Sequence, residues 1–453
     1  MLFFGNVYAI ITLKKSISTF LEDIYNQTVE PFFGFFIFNQ PILFIRDPDL
    51  IKSVLIKDFD HFPDRSVMGN KNDKYSAKTL FMLKGPEWKR TRTKATPAFS
   101  SGKLKNMIPL IVDASEKLIE HIEFMISNNE LIDSRDVCIK YAIDVISACA
   151  FGFEAQSHHN SEFANAAKHL QGITLSRNIQ TAAHFFAPMF VNLFGFKFAD
   201  PKSAQFLANI FLTEVAKREL NKQSRGDFID LLIKMKEEKT YFDNDALVGL
   251  ALQYLVAGFE TSGSTISYIL YELCLNEAIQ NRLRDEILTV LENHHSIKLE
   301  SVQEMSYLDM VIKEGLRKYP TLAFLDRVCT KNYKIPNSKV VVEKGIPIYI
   351  SVSALHYDPK YFPNPENFDP ERFSPKNKSD IIPCTYMPFG EGYRNCLGAK
   401  FGTLAVSIGL IQILKQFKVE LSENAPRKLQ FKTSGFLMTP VGDTLNLIFK
   451  KLK

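Results

Sequence analysis

The segment FGEGYRNCLG, Phe389 to Gly398, places one cysteine, one arginine and three glycines in ten positions. A thiol acts as a metal ligand or nucleophile as its thiolate, and that charge must be stabilised away from bulk water. An apolar run with helical periodicity begins at Leu397, so Cys396 stands where a helix starts. Free N–H groups and the positive end of the helix dipole there lower a thiol's pKa. Gly390, Gly392 and Gly398 permit positive φ and close approach of the backbone to a flat ligand. Arg394 could hold a carboxylate on that ligand, and Phe389 could shield the sulfur. Two plainer readings stand beside this one. A lone cysteine is more often a small core residue. A dinucleotide loop is the other, but Asn395 occupies the third glycine position of GxGxxG.

Three further groupings carry chemistry. AGFETS, Ala257 to Ser262, lies within the apolar stretch Ala246 to Leu275, where an acid beside a hydroxyl is costly without partners. Ala257 and Gly258 are small enough for a flat ligand and a diatomic molecule to come close, although a helical Glu260–Thr261 pair is structural far more often than catalytic. EGLRKYP sets Glu314 and Arg317 at i,i+3 on one helical face, ordinarily an exposed pair of little worth. FDPERF supplies Arg372 more than fifty residues later. In GPEWKRTR, Pro86 fits a first helical position and Trp88 shares a face with Arg92. Trp88 reads equally well as an aromatic core residue. Lys89, Arg90 and Lys94 fall on other faces, either solvated or turned towards an acidic electron donor.

The elements that must position these residues are mostly helical. Apolar positions recur at helical spacing from about 104 to 313 and again from Leu397 to Phe417. Gly34 to Phe38 and Pro41 to Ile45 read as a hairpin around Asn39-Gln40, and DPDLIKSVLI (47–56) as a capped helix. Residues 332–352 return to strands, 361–373 are proline-rich and irregular, and a last hairpin closes the chain. The 453 residues are 46% hydrophobic with 38 Phe, enough for one large mainly α unit with a small β portion. A net charge of +5 from 55 basic and 50 acidic side chains, without a basic block interleaved with aromatics, argues against nucleic acid. Six scattered cysteines without a CxxC pair argue against a zinc site or a disulfide framework. The N-terminal run Val7 to Leu13 is far shorter than the roughly 20 apolar residues of a membrane span. The run Ala183 to Ala199 reads as a core or lid segment, or as one that dips into lipid.

FGEGYRNCLG resembles the haem-binding pattern F-G-x-G-x-R-x-C-x-G of the cytochrome P450 superfamily at every fixed position. AGFETS is similar to the family's oxygen-activation motif, and the other two groupings follow in family order over almost the whole chain. DRVCTKNYKIP and ALHYDPKYFPNPENFDPERF look like the microsomal branch that holds insect xenobiotic-metabolising enzymes and vertebrate family 3. The resemblance implies the P450 fold as a single catalytic unit over 1–453, with haem b between the long central helix and the Cys-loop helix. Cys396 would be the proximal thiolate and the one metal ligand, flanked by Phe389 and Ala257. Trp88, Arg92, Arg327 and Arg394 would hold the haem propionates. Thr261 and Glu260 would serve oxygen activation and proton delivery, and Glu314, Arg317 and Arg372 would form a buried structural triad. The implied activity inserts one oxygen atom from O2 into a lipophilic substrate, with electrons from NADPH through a flavoprotein reductase and a b-type cytochrome as a second donor. Substrate contacts would fall near Pro63–Phe81, Thr174–Phe196, Leu322–Asp326 and Ser434–Leu437. The implied location is the cytosolic face of the endoplasmic reticulum membrane, held peripherally, since the family's N-terminal anchor and basic hinge are not seen. A haem-thiolate isomerase or dehydratase, which typically lacks the acid–Thr pair, and a ligand-sequestering haem protein are the alternatives.

Overall fold

A computed structural model describes residues 4–159, 161–170, 174–236, 241–433 and 437–452. Its axis is the central helix, Asn244–Leu275, 32 residues long and therefore about 48 Å. Asp243 caps it, its carboxylate accepting from the Ala246 N–H at 2.8 Å. Apolar residues lie all around this helix because other helices cover it. Gly263 shows how closely one of them packs: a Cβ there would stand 2.6 Å from Ile139 Cα on the helix Ser134–Ile146. The cysteine helix, Ala399–Gln416, crosses it too, with the Cβ position of Gly409 3.0 Å from Ile266 Cδ1.

The β portion is small. Phe32–Ile37 and Gln40–Ile45 pair antiparallel with Ile37 opposite Gln40, so the two-residue turn is Phe38-Asn39, one position earlier than the sequence suggests. Phe38 adopts φ 52° there. The sheet continues through Pro347–Ser351 to Phe324–Val328, and this last strand carries Asp326 and Arg327 towards the site. The helix predicted after Asp47 forms at Pro48–Lys52, capped by Asp47 on the Leu50 N–H, and runs on as a π-helical turn over Ser53–Lys57. The closing pair is not a tight hairpin. Phe417–Leu421 and Asn446–Lys451 are antiparallel neighbours with Ile132–Asp133 added at the edge. Between them a finger closes on itself by a bridge from Phe431 to Pro440.

Below the site, Glu314 and Arg317 are fully buried on the helix Ser306–Lys318. Arg317 Nε and Nη2 donate to the Glu314 carboxylate at 2.8 and 2.9 Å. Arg372 Nε approaches the same carboxylate at 3.5 Å, from the 3₁₀ turn Pro370–Phe373. Arg317 also donates to the carbonyls of His356 and Pro365, so its guanidinium ties the irregular proline-rich stretch to the helical body. Burial pushes the Glu314 carboxyl up, while its two arginines and the Asp369 N–H act the other way.

Candidate haem and substrate site

A single apolar cavity of about 340 Å³ receives Cys396, Ala257 and Thr261 on its wall. Cys396 is accessible, and it faces this interior rather than bulk water. Its N–H donates to the Phe389 carbonyl at 2.7 Å, which folds the loop back on itself. The cysteine helix begins at Ala399 with Gly398 as its cap. The glycines do part of what the sequence suggests. Gly390 and Gly392 have φ +69° and +72°, whereas Gly398 does not enter the left-handed region. Gly392 is required for a different reason from the one expected. A Cβ there would lie 2.0 Å from the Leu55 carbonyl oxygen, so the close approach is to protein backbone.

The thiol's pKa is raised rather than lowered, contrary to expectation. Burial raises its pKa and outweighs the Gly398 N–H and the positive charges of Arg92 and Arg65. A helix start and two cations do not suffice in a site screened from water, and a bound metal ion would supply the remaining stabilisation. Among the described residues no three His, Cys, Asp or Glu side chains converge on a metal position. Cys396 is the one His, Cys, Asp or Glu side chain among the described residues lining the cavity, so it would be a lone protein ligand, which suits a metal held otherwise by a macrocycle.

The cationic side of the cavity tests that fit. Arg394 is buried beneath Trp88, its guanidinium 4.2 Å from the ring centre. It donates to Asp64 Oδ1 at 3.1 Å and to the Leu83 carbonyl at 2.9 Å, while its Nη1 has no partner. Burial, together with Arg65, pushes its pKa down to about 10. Arg327 is buried as well, its Nη1 on the Asp326 carbonyl at 2.7 Å and its Nε unpartnered. Burial and then Arg65 push it down to about 9. Arg92, on the helix Gly85–Ala95, donates to the main-chain and side-chain oxygens of Asn395 at 2.8 and 2.7 Å. It thus braces the cysteine loop as well as lining the cavity. Arg65 pairs with buried Asp326 at 3.0 Å. Four guanidiniums, with Lys84 behind them, face two carboxylates, Asp64 and Asp326. Surplus positive charge and unpartnered buried N–H groups call for an anionic ligand, since leaving such donors unmade costs about 1–3 kcal/mol each. The propionates of haem fit that demand.

Not every predicted residue reaches the cavity. Trp88, Arg92, Ala257, Thr261, Phe389, Arg394 and Cys396 line it; Arg327 stands behind the lining. Glu260 also lies off it, its carboxylate ion-paired with Arg135 at the start of the helix Ser134–Ile146. Thr261 Oγ1 donates to the Ala257 carbonyl at 2.6 Å. The expected substrate regions contribute unevenly: Arg65, Tyr75, Ser76, Thr79, Leu80 and Phe81 from the first, Phe185 from the second, Leu322 and Leu325 from the third. Leu437 represents the fourth, since Ser434, Gly435 and Phe436 lie outside the described residues. Asp326, expected among the substrate contacts, instead accepts from Arg65, Ser66 Oγ and the Ser66 N–H. Arg135 carries a part of the site that the sequence did not disclose, and Asp64, Arg65 and Asp326, which fall within the expected substrate regions, form ion pairs. The adjacent pairs Asp64-Arg65 and Asp326-Arg327 were the available signal, but nothing local says that they meet.

Comparison with known proteins agrees with this geometry. The sequence profile of the family described as Cytochrome P450 matches residues 1–447. Cytochrome P450 6k1 of Blattella germanica is 39% identical, with 98% of this chain and 90% of that protein aligned. Cytochrome P450 6j1 of the same organism is 39% identical over 92% of this chain and 84% of its own length. Cytochrome P450 6a2 of Drosophila melanogaster is 35% identical over 93% of this chain and 88% of its own length. With a thiol on an apolar cavity, a cationic wall suited to propionates and matches of this extent, the chain belongs to the cytochrome P450 family, in its insect xenobiotic-type branch, and is a haem-thiolate monooxygenase.

Proposed function

We propose that Cys396 ligates the haem iron, that Arg394, Arg92 and Trp88 seat the propionates with Arg327 behind them, and that the substrates are lipophilic xenobiotics. The observation that carries this is the placement of Cys396 on an apolar cavity beside guanidiniums with unpartnered buried N–H groups. When bound, the haem supplies dioxygen activation and transfer of one oxygen atom, a reactivity that thiolate ligation favours. The residues of this chain position and insulate it. Phe81, Phe185 and Leu437 exclude water and orient an apolar molecule. Thr261 holds a proton donor at Oγ1 on the cavity wall, and Glu260, released from Arg135, serves as the carboxylate that resupplies it. Glu314, Arg317 and Arg372 hold the fold beneath the site rather than touching substrate.

Electrons would come from an NADPH-dependent flavoprotein reductase, with a b-type cytochrome as a second donor. Lys89 on the Trp88 helix is exposed and suits an acidic donor, while Arg90 is engaged over the Tyr241 ring at 3.5 Å. No helix of the described residues is long and apolar enough to cross a membrane. Membrane association at the cytosolic face of the endoplasmic reticulum would use the exposed residues Met189, Leu193 and Phe194. The deciding experiment is the carbon monoxide difference spectrum of the reduced protein, followed by NADPH oxidation with added reductase and a lipophilic probe. A strongly red-shifted Soret band and probe-dependent product formation support the reading; an imidazole-like band overturns it. Binding without product would favour a ligand-sequestering role, and turnover without reductase an isomerase or dehydratase.

A further inference from the structure

The finger between the closing strands has an unusual attachment. Its two arms are joined by Lys432 N–H to Thr439 carbonyl and Val441 N–H to Gln430 carbonyl, each at 2.8 Å. Leu437, from its tip, lines the cavity. Among the described residues from 431 to 440, one hydrogen bond reaches the body of the protein: Tyr268 Oη donates to the Met438 carbonyl at 2.6 Å. Tyr268 is almost fully buried on the central helix. It lies seven residues after Thr261, two turns along the same face and about 10 Å away. Phe431 packs its edge against the Tyr268 ring, with centres 5.8 Å apart, and also contacts Tyr319. The base of the finger is fixed separately. Ser134 Oγ and N–H donate to the Leu445 carbonyl, and the Leu445 N–H donates to Asp133 Oδ1. On the other arm Tyr271 Oη donates to the Pro426 carbonyl at 2.8 Å.

We infer that the Tyr268 hydroxyl is a specificity-determining positioning group. By holding the Met438 carbonyl it fixes how far Leu437 projects into the cavity, and so the length of apolar substrate that fits. The inference rests on the haem reading above. A finger pinned at its base by Asp133, Ser134 and Tyr271 but at Met438 by one phenol can shift at Leu437 and Met438 without unfolding. The ring packing that stabilises it survives loss of the hydroxyl; the depth setting does not.

Chain-length discrimination in the holoprotein is the measurement. 1-Hexylimidazole and 1-dodecylimidazole would both bind the haem iron through nitrogen, so the alkyl chain probes the cavity from a fixed end, and the Soret shift reads each Kd. Tyr268→Phe should change the ratio of the two Kd values by about two- to tenfold, the span of one net hydrogen bond, at an unchanged reduced carbon monoxide spectrum. Tyr271→Phe, which loses a similar bond at the base, should leave the ratio within about twofold. Leu437→Trp should weaken the dodecyl ligand more than the hexyl one. An unchanged ratio in Tyr268→Phe, or an equal change in Tyr271→Phe, overturns the inference and leaves the haem reading standing. No Soret shift with either imidazole in the unaltered protein overturns the haem reading itself.

Discussion

Thr261 Oγ1 donates to the Ala257 carbonyl at 2.6 Å, one turn back along the central helix, where both residues face the cavity. A threonine bonded to its i−4 carbonyl bends a helix slightly and is satisfied without any ligand. Its hydroxyl lone pairs remain available to accept a proton-bearing neighbour. Thr261→Ala should therefore keep haem content and the thiolate spectrum while lowering product formed per NADPH consumed, and Thr261→Ser should restore much of it. General acid–base groups contribute about 10²–10⁴ in rate, which bounds the loss. An unchanged ratio of product to NADPH would reduce Thr261 to a helix residue.

Cys396→Ser should abolish the red-shifted carbon monoxide band and turnover together. The other five cysteines cannot substitute. Cys138, Cys149, Cys329 and Cys384 are buried in the core, Cys274 is half-buried, and none of the five lines the cavity. Retained turnover in this variant would remove the assignment.

Glu314→Ala leaves Arg317 buried without its carboxylate, at a cost of about 3–5 kcal/mol. Haem incorporation and yield should fall with thermal stability, while any holoprotein recovered keeps the normal spectrum. Normal melting of Glu314→Ala would show that the carbonyls of His356 and Pro365 suffice for Arg317.

Burial pushes the pKa of both His158 and His356 down to about 3. In the unfolded chain each returns to about 6.5. Between these values the unfolded state binds the extra protons, so stability is full above about pH 6.5 and is lost as pH falls towards 3. Each histidine contributes a slope of up to about 1.4 kcal/mol per pH unit. His158 has neither ring nitrogen hydrogen-bonded, its Nε2 lies 4.0 Å from Asp144 Oδ2, and His121, His159, Lys140 and Asp136 surround it. His158→Leu should make the decline of unfolding free energy between pH 6.5 and 5 shallower, as measured by denaturant titration; an unaltered slope would show that His158 is hydrated.

Membrane association should depend on Met189, Leu193 and Phe194, which are 64%, 71% and 62% exposed. Of the phenylalanines that the run Ala183 to Ala199 brings forward, Phe185 and Phe186 are buried and Phe190 is half-buried, and Phe185 faces the cavity. Serine at the three exposed positions should reduce flotation with liposomes and spare the carbon monoxide spectrum. The same change at Phe185 and Phe186 should disturb substrate binding. Apolar burial of about 25 cal/mol per Å² supports reversible attachment, and flotation unaffected by the triple change would place the contact elsewhere.

What the sequence determined by itself is what local spacing encodes. The helical period around AGFETS, the i,i+3 pair Glu314–Arg317 and the glycine frame of Cys396 are short-range patterns, and motifs of that kind survive in any context. The small hairpin was also legible, displaced by one residue because the turn forms at Phe38-Asn39, with Phe38 left-handed, rather than at Asn39-Gln40. Only the tertiary structure decided which charges meet. Asp326 binds Arg65 across 261 positions, Arg135 takes Glu260 across 125, and Tyr268 reaches Met438 across 170. These pairings follow from chain crossings that no residue period records. Burial is set by the same crossings. It turned the thiol of Cys396, expected to be acidic, into one raised above its ordinary pKa, because desolvation depends on every element packed around the sulfur and the helix start is only one of them.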